Sequence, residues 1–289
     1  MPLQRQDFRF FHRLRVRWVE VDMQQIVFNG HYLMYADTAM GDFWRSLALP
    51  YQDAMTLLGG DTFVKKTTLE YHASARYDDV LHVGLRCRKI GNSSMMMDVG
   101  IFRADQLLVS GELLYVFADP ATQTSRPVPQ PLRDAFAAQE AGAPVFRTVV
   151  GTWEDFGKRG LPLRRAVFVQ EQAISESLVS DDADLDAVHA GVENLLGQVV
   201  ASGRLVLHAP GVSKVGRMAT HRMLRSAGYG LAVLRALINV AQQRGDTEIM
   251  LHAQISAEGF YAAQGFVRRG PVFHEVGIAH QEMVLTLQA

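Results

Sequence analysis

The sequence predicts two domains, an α+β domain followed by an α/β domain. At 289 residues the chain has the length of about two ordinary domains. In the first half, one long helical pattern precedes a run of alternating strand patterns, which is typical of an α+β fold. In the second half, strand and helix patterns alternate, which is typical of an α/β fold.

The first domain is predicted to span residues 1–140. Alternating apolar and polar side chains predict a strand over residues 14–21, and helical spacing predicts a helix over residues 31–47 with Asn29 as its N-cap. The same alternation predicts four further strands, over residues 62–76, 80–90, 95–103 and 107–118. Residues 119–131 contain four prolines, so they cannot form a continuous helix or a central strand.

The second domain is predicted to span residues 151–289, after a short helix near residues 132–141 and a linker at residues 141–150. An acidic loop is expected at residues 180–186. The predicted helices lie at residues 156–169, 230–244 and 257–264, and the predicted strands at 197–208, 212–220, 248–253 and 281–287.

Composition excludes several classes of protein. The chain is 48% hydrophobic and 20% charged with mean hydropathy near zero, which indicates a globular rather than a disordered protein. With 29 basic and 30 acidic side chains there is no basic field, so no nucleic-acid partner is expected. No apolar run approaches the roughly 20 residues that cross a bilayer, and the N-terminus has no apolar signal core. We therefore expect a cytoplasmic protein without a membrane partner.

Cysteine and histidine usage gives no sign of a metal site. Cys87 is the only cysteine, so neither an intramolecular disulfide nor a thiolate metal site can form, which fits a reducing compartment. The ten histidines include no H-x-x-x-H pair, and no metal is expected.

A first candidate site lies around Asp22, which stands between a predicted strand and the long helix. Free N–H groups at a helix start, together with the positive end of its dipole, would polarise a carbonyl oxygen. A carboxylate facing such a site could attack the carbonyl carbon or deprotonate water. From the local sequence alone, an aspartate here is more often a helix cap or a turn former.

A longer stretch around Asp22 resembles a known family. Residues 17–32, RWVEVDMQQIVFNGHY, resemble the signature D-x-x-G-[IV]-[VC]-[FY]-x-x-x-Y of hotdog-fold proteins of the 4-hydroxybenzoyl-CoA-thioesterase type. Three later segments follow the same pattern in order, at residues 71–79, 91–94 and 111–119, so the resemblance covers about residues 8–137. It implies a hotdog fold, acyl-CoA thioester hydrolysis with Asp22 as the catalytic carboxylate, and a role for Asn29, whose neighbouring amide would help to hold the thioester carbonyl.

The chain departs from that signature at two positions. Gln25 stands where glycine is preferred, and Asn29 stands where tyrosine or histidine is common, which removes an acid–base candidate and leaves the acyl preference open. His31, Glu70 and His72 are other polar candidates, but a helix cap or a solvated strand position explains them as well.

A second candidate site lies at a glycine-containing turn before a helix. Small residues let the backbone approach a ligand closely, and successive N–H groups with the helix dipole can hold a pyrophosphate. No G-x-x-x-x-G-K-[ST] motif occurs, which excludes a P-loop. The turn is R-x-x-G-x-G, formed by Arg225, Ser226, Ala227, Gly228, Tyr229 and Gly230.

This turn and its surroundings resemble the GNAT acyltransferases. The strand at residues 212–220, the turn, a second strand at 249–253 and the segment FYAAQGF at 260–266 follow the family order. Two segments, AVFVQEQ at residues 166–172 and EVGIAH at 275–280, resemble its ElaA-like branch, and the whole resemblance spans about residues 155–288.

The GNAT resemblance implies roles for particular residues. The amides of residues 225–230 would hold the CoA pyrophosphate, and Tyr261 would be the general acid for the leaving thiolate, although core packing is its other interpretation. Backbone groups lining the pantetheine and acetyl carbonyl would come from Met218, Ala219 and Thr220. No base is singled out, because Glu171, His252 and His280 could each be structural. The basic pair Arg164-Arg165 is interpreted as solvated, with the CoA 3′-phosphate as the lesser alternative.

Together these features predict a bifunctional enzyme that uses acyl-CoA and acetyl-CoA as small-molecule substrates and an unidentified amine as acceptor. Two alternatives remain: a thioesterase with an acetyl-CoA-sensing GNAT domain, and a transferase with a hotdog scaffold. Related hotdog domains build their sites between subunits, so a homodimer or homotetramer is implied.

Overall fold

A computed structural model describes residues 3–287. The chain divides into two compact units, Met1–Val145 and Phe146–Ala289. No helix within the described residues is long and apolar enough to cross a membrane.

The first unit is a five-stranded antiparallel sheet with three helices. Its strands lie in the order β1-β3-β4-β5-β2, so β1 and β2 form the two edges. In chain order the elements are β1 (Phe10–Arg15), α1 (Asn29–Ser46), α2 (Tyr51–Leu58), β2 (Asp61–Tyr71), β3 (Val80–Ile90), β4 (Ser94–Arg103), β5 (Gln106–Ala118) and α3 (Gln130–Ala141).

Helix α1 supplies much of the core of this unit. Its buried residues recur at helical spacing and include Tyr32, Tyr35 and Phe43. The Phe43 ring packs 5.4 Å from that of Phe10 on β1 and 5.5 Å from that of Phe136 on α3. The predicted α+β architecture is therefore confirmed.

Two local predictions in this unit are wrong. Residues 14–21 do not form one strand, because β1 ends at Arg15 and Trp18–Glu20 forms a short 3-10 helix. Asn29 is not the N-cap of α1, because Phe28 occupies that position and Asn29 is the first helical residue.

The only cysteine of the chain lies in the core of the first unit. Cys87 on β3 is buried, and its backbone N–H donates to Oε1 of Glu140 at 2.7 Å. Burial raises the pKa of the Cys87 thiol to about 12.

The second unit is a seven-stranded sheet with helices. The strand order is β11-β12-β10-β9-β8-β7-β6, and only the β9–β10 pair is parallel. In chain order the elements are β6 (Phe146–Gly151), α4 (Leu161–Arg164) running into a π-helical segment (Arg165–Glu171), α5 (Ala183–Asp186), β7 (Val188–Asn194), β8 (Val199–Ala209), β9 (Val212–Thr220), α6 (Tyr229–Arg244), β10 (Glu248–Gln254), α7 (Glu258–Ala262), β11 (Val267–Glu275) and β12 (Ile278–Thr286).

Several of these strands differ from the sequence prediction. All of β6 except Gly151 falls in residues 141–150, which were expected to be a linker, and the strand pairs with β7 along its whole length. Strands β7 and β11 were not predicted. The sequence of β11, VRRGPVFHE, contains glycine and proline and is exposed along nearly its whole length, so it lacks the alternation that marks a half-buried strand.

The sheet of the second unit opens between its two parallel strands. β9 and β10 pair only from Val212↔Glu248 to Val215↔Leu251. Beyond that point β9 continues along β8, and β10 continues along β12. A bulge in β9 accompanies the separation, with Arg217 at φ +52°. The gap between the two strands is the most distinctive feature of this unit.

Candidate active sites

The first candidate site is an open cleft of about 510 Å³ beside the start of α1. Its lining includes Asp22, Phe28, Asn29, Tyr32 and Tyr71. The structure therefore brings both predicted residues of the first site, Asp22 and Asn29, to one cleft.

Asp22 is held in place by a tight turn. Its N–H donates to the carbonyl of Ile26 at 2.9 Å, and its carbonyl accepts from the N–H of Gln25 at 2.9 Å. Oδ1 of its carboxylate accepts from the N–H of Gln24 at 2.8 Å. Asp22 lines the cleft, and among residues 3–287 its Oδ2 has no hydrogen-bond partner, so one carboxylate oxygen is fixed and the other is unpaired.

The same turn explains the departure at Gln25. Its φ is +60°, in the left-handed region that glycine adopts without strain and other residues adopt at a cost. The side chain is exposed, so the turn keeps its shape although glycine is missing.

The backbone groups of Asn29, rather than its side chain, make the contacts described at the start of α1. Asn29 is exposed at the first position of α1, and its carbonyl accepts a hydrogen bond from the Tyr71 hydroxyl at 3.2 Å. Within the described part of the chain, the N–H groups of Asn29 and Gly30 have no acceptor, as is usual in a first helical turn. Of these two residues Asn29 lines the cleft, and Gly30 directly follows it.

A buried carboxylate, which the sequence analysis missed, anchors the loop that carries Asp22. Glu20 is 2% exposed and accepts hydrogen bonds from the N–H of Arg17 at 2.7 Å, Nε of Arg17 at 2.8 Å and the Tyr35 hydroxyl at 2.7 Å. Its carbonyl accepts from the N–H of Phe28 at 3.0 Å. Glu20 thereby ties the start of α1 to the loop before it.

The charge state of Glu20 follows from these contacts. Burial raises the pKa of its carboxyl, but the hydrogen bonds from Arg17 and Tyr35 outweigh burial, and the net pKa lies below its ordinary value. The group is therefore a carboxylate near neutral pH.

The other polar candidates of this unit take structural positions. The His31 ring lies against that of Phe28 at 6.0 Å. The Nε2 atom of His72 lies 2.8 Å from the Ser110 hydroxyl, and Glu70 is exposed on β2. The residues that line the cleft include none of these three.

The second candidate site lies where β9 separates from β10, next to the start of α6. Ser226 at φ +64° and Gly228 at φ +90° shape the preceding turn. A Cβ on Gly230 would lie 2.9 Å from Oγ1 of Thr220, so glycine is needed for the helix to meet β9 this closely. The exposed residues of the turn are Arg225, Ser226, Ala227 and Gly228, whereas Tyr229 is buried.

The β9 residues predicted to line this site follow its bulge. Ala219 is buried against Leu163 and Val167 of the helical segment, while Met218 and Thr220 are half-buried. The structure therefore places residues 218–220 and the turn 225–230 at the same opening of the sheet.

The side chain of Arg225 forms an ion pair with Glu171. Its Nη1 and Nη2 lie 2.5 Å and 2.7 Å from Oε1 and Oε2 of Glu171. The Arg225 hydrogen bond is the main cause that lowers the pKa of the Glu171 carboxyl. A carboxylate with a lowered pKa and both oxygens engaged is a poor general base, so Glu171 is the weakest of the three base candidates.

Tyr261 packs against aromatic side chains and keeps its hydroxyl proton at neutral pH. It is 8% exposed, with its ring 4.9 Å from that of Phe260 and 5.9 Å from that of Phe266. Burial raises the pKa of its hydroxyl to about 12, which keeps the hydroxyl protonated at neutral pH.

The two histidine candidates differ in their contacts. His252 directly follows Leu251, the last residue of β10 that pairs with β9, and its Nδ1 lies 3.1 Å from Oε2 of Glu275 and 3.3 Å from Nζ of Lys214. His280 has its Nδ1 at 2.8 Å from the carbonyl of Ile278. Only His252 therefore has a carboxylate to orient its ring at the point where the strands separate.

Arg164 does not lie in solvent, as the sequence had suggested. It is 1% exposed, with Nη1 2.9 Å from Oδ1 of Asp184 and Nη2 3.2 Å from Nδ1 of His189. A charged residue next to another in sequence gives no signal of burial, so only the structure could show this.

Within the described residues no group of three or more His, Cys, Asp or Glu side chains is placed to hold a metal ion.

Comparison with known proteins identifies both units. The model of the thioesterase superfamily matches residues 24–110, and the model of the acetyltransferase (GNAT) domain matches residues 165–287. The chain belongs to both families. The hotdog and GNAT assignments made from the sequence are therefore confirmed.

Individual proteins are similar to one unit or the other. A "Putative esterase" of Aquifex aeolicus is 31% identical over 96 residues, covering 33% of this chain and 74% of that protein. A "Putative acetyltransferase" of Bacillus subtilis is 31% identical over 125 residues, covering 41% of this chain and 81% of that protein. The crystal structure of a 1,4-dihydroxy-2-naphthoyl-CoA thioesterase from Synechocystis aligns with 44% of this chain and 95% of its own, with 21% identity and a TM-score of 0.42.

Replacing the anchor of the thioesterase unit is expected to destabilise that unit. Glu20→Gln removes a carboxylate that accepts charged and neutral hydrogen bonds, so we expect a loss of about 1.5–3 kcal/mol in the free energy of unfolding at pH 7. The control Glu112→Gln, in an exposed pair with Arg88, is expected to cost at most about 1 kcal/mol.

The contribution of Glu20 to the free energy of unfolding is expected to depend on pH. Because folding lowers the pKa of Glu20, its contribution is complete above the ordinary value of 4.5 and is lost as the pH falls through the folded-state pKa. The difference between wild type and Glu20→Gln in urea unfolding should therefore shrink from pH 6 to pH 3. A difference that stays constant over this range would contradict the assignment of a stabilising carboxylate.

Proposed function

We propose that the chain is a bifunctional CoA-thioester enzyme, in which the thioesterase unit hydrolyses an acyl-CoA and the GNAT unit transfers acetyl from acetyl-CoA to an amine. The observation that carries the first activity is the cleft in which the carboxylate of Asp22 meets the N–H groups at the start of α1. The observation that carries the second is the opening between β9 and β10 beside the start of α6.

In the thioesterase unit, the N–H groups of Asn29 and Gly30 polarise the thioester carbonyl, and Asp22 drives the attack. In one route the Asp22 carboxylate takes a proton from water, the water oxygen adds to the carbonyl carbon, the C–S bond breaks, and the thiolate takes that proton from Asp22. In the other route a carboxylate oxygen itself bonds to the carbonyl carbon, the thiolate leaves with the C–S electron pair, and water then cleaves the resulting anhydride.

In the GNAT unit, the amine nitrogen attacks the acetyl carbonyl carbon. A C–N bond forms, the C–S bond breaks, and the thiolate of CoA leaves with that electron pair. The proton lost by the amine passes to a base, and the hydroxyl of Tyr261 supplies the proton for the thiolate. Because burial raises the pKa of Tyr261 to about 12, above the roughly 8.5 of a thiol, proton transfer from its hydroxyl to the thiolate is uphill, and the proton taken from the amine must return to the phenolate to complete each turnover.

His252 is the base that the geometry favours. It lies at the end of the paired part of β10, with its Nδ1 3.1 Å from Oε2 of Glu275 and 3.3 Å from Nζ of Lys214, and with its Nε2 3.9 Å from Oε2 of Glu282. Glu171 is paired with Arg225, and Nδ1 of His280 faces a backbone carbonyl.

The assembly is a homodimer or homotetramer formed through the thioesterase unit. Support comes from β2, an edge strand of 11 residues that pairs only with β5 in the described chain. Val64 on this strand is 54% exposed, and Phe63 beside it is also exposed. A long exposed edge with apolar side chains is the kind of surface that a second chain covers.

Asp22→Asn should lose thioesterase activity. Removing a carboxylate that acts as base or nucleophile is expected to lower the rate by at least about a hundredfold. The measurement is release of free CoA thiol from a panel of short, long and aromatic acyl-CoA substrates. The control Asp105→Asn changes an exposed turn aspartate and should retain wild-type rates. Equal rates for wild type and Asp22→Asn would support the scaffold alternative instead.

His252→Gln should impair acetyl transfer without impairing binding of acetyl-CoA. We expect kcat to fall by about 10²–10⁴-fold while the affinity for acetyl-CoA stays at the wild-type value. Transfer to an amine panel is followed by mass spectrometry, and His274→Gln, an exposed residue of β11, is the control. If wild type binds acetyl-CoA but acetylates no amine, the sensor alternative replaces the transferase.

Val64→Lys should weaken self-association. A further positive charge at this exposed edge position, next to Lys65 and Lys66, opposes pairing of that edge with another chain. Sedimentation velocity of the full chain is expected to shift toward the monomer for this variant but not for Leu207→Lys, an exposed control on β8. An unchanged sedimentation profile would place the contact elsewhere.

A further inference from the structure

A network of three arginines and two aspartates lies in the GNAT unit, and we call it the arginine cluster. Arg164 belongs to α4, Arg204 to β8 and Arg217 to β9. Arg164 binds Asp184 at 2.9 Å, and Arg204 binds Asp181 through two nitrogens at 2.5 and 2.8 Å and Asp184 at 2.9 Å. Nη2 of Arg217 binds Oδ2 of Asp181 at 2.8 Å.

The charges of the arginine cluster do not balance. Three guanidinium groups face the carboxylates of Asp181 and Asp184. The charge of Glu275 also acts on Arg217, but Lys214 acts on Glu275 in turn, so these two offset each other and one positive charge remains in excess. His189 does not change this sum, because burial lowers the pKa of its ring, which is therefore neutral. Arg164 and Asp184 are each 1% exposed, so bulk water cannot screen the excess charge there. Buried charge of one sign calls for a partner of the other sign.

Several buried polar groups in or near the arginine cluster have no hydrogen-bond partner among the described residues. Among residues 3–287, Nε of Arg164 and Nε of Arg217 are buried and have no hydrogen-bond partner. The hydroxyl of Ser202, two residues before Arg204 on β8, is likewise buried without a partner. Buried polar groups are nearly always satisfied, so unused donors beside excess positive charge indicate an anionic group that binds there.

Arg217 is the member of the cluster that a ligand can reach. Its side chain is 27% exposed, whereas that of Arg204 is 9% exposed. Its guanidinium donates through Nη2 to Asp181, and its Nε is buried, so a ligand approaches it from the side of Nη1, which has no partner among the described residues.

The position of Arg217 connects it to the transfer reaction. It lies two residues after Val215, the last residue of β9 that pairs with β10, at the bulge with φ +52°. A non-glycine residue in the left-handed region is strained, and bulges next to active sites commonly redirect a side chain. The charge of Glu275 acts on Arg217, and Glu275 holds the ring of His252. Arg217 and the proposed base therefore face the same opening of the sheet.

We propose that Arg217 binds a carboxylate carried by the acceptor, so that the GNAT unit acetylates the amino group of a small amino acid rather than a simple amine. This inference rests on the proposed acetyl transfer. An arginine offers paired N–H donors that match the two oxygens of a carboxylate, and a single negative charge neutralises the excess of the cluster. The amino group of the same molecule then points toward the acetyl carbonyl and His252.

Binding of product analogues tests the proposal without turnover. Calorimetric titration in the presence of CoA compares N-acetylglycine, N-acetyl-L-alanine and N-acetyl-L-phenylalanine, each with its uncharged carboxamide. We expect wild type to bind at least one acid about tenfold or more tightly than its amide. Arg217→Gln should reduce that preference to about twofold or less, and Arg217→Lys should retain part of it. Arg235→Gln, an exposed residue of α6 that undergoes the same charge change, should behave as wild type.

Each outcome bears on the proposal. It is overturned if no acid binds better than its amide, or if the preference survives in Arg217→Gln. It is also overturned if Arg217→Gln loses affinity for acids and amides equally while CoA still binds with wild-type affinity. Failure of the transfer reaction itself would appear separately, as acetyl-CoA binding without acetylated product for any amine, whatever the carboxylate preference.

Discussion

The first turn of an α-helix has N–H groups that no residue of that helix can accept, and both candidate sites of this chain depend on that constraint. In the thioesterase unit the donors come from the start of α1, and a tight turn holds Asp22 beside them. In the GNAT unit the start of α6 lies at a turn shaped by Ser226 and Gly228. Different folds thus expose the same chemical feature, backbone donors backed by a helix dipole, which in the proposed function would meet two parts of one type of substrate.

What surrounds each helix start differs, and the two proposed chemistries differ with it. Next to α1 lies a carboxylate with one oxygen held and the other without a partner among the described residues, which suits the proposed attack on an acyl carbon. Next to α6 it places an opening between strands that run parallel for only four residue pairs. Such an opening can accept an extended thioester between two strand edges, while the turn beside it takes the charged end of the molecule.

The sequence predicted those parts of the molecule in which a local pattern decides the outcome. Strand β9 was predicted at its observed bounds, and the position of Asp22 followed from a signature that is contiguous in sequence. Glu20 was missed because its role depends on Tyr35, a partner one helix later that no local pattern connects to it. Arg164 was placed in solvent because two adjacent arginines normally lie there, and its burial depends on Asp184 and His189. No sequence pattern predicts the separation of β9 from β10, because it depends on the strands with which each of them pairs, β8 for β9 and β12 for β10.

The surroundings of Cys87 have a practical consequence. Its sulfur is buried and its pKa is raised to about 12, so almost none of it is thiolate at neutral pH, and the thiolate is the form that reacts with disulfide and maleimide reagents. The folded protein should therefore contribute no background to a colorimetric reading of released CoA, even at high enzyme concentration. For the same reason, a dye attached through sulfur would need a cysteine introduced at the surface, and it would then report on that single chosen position.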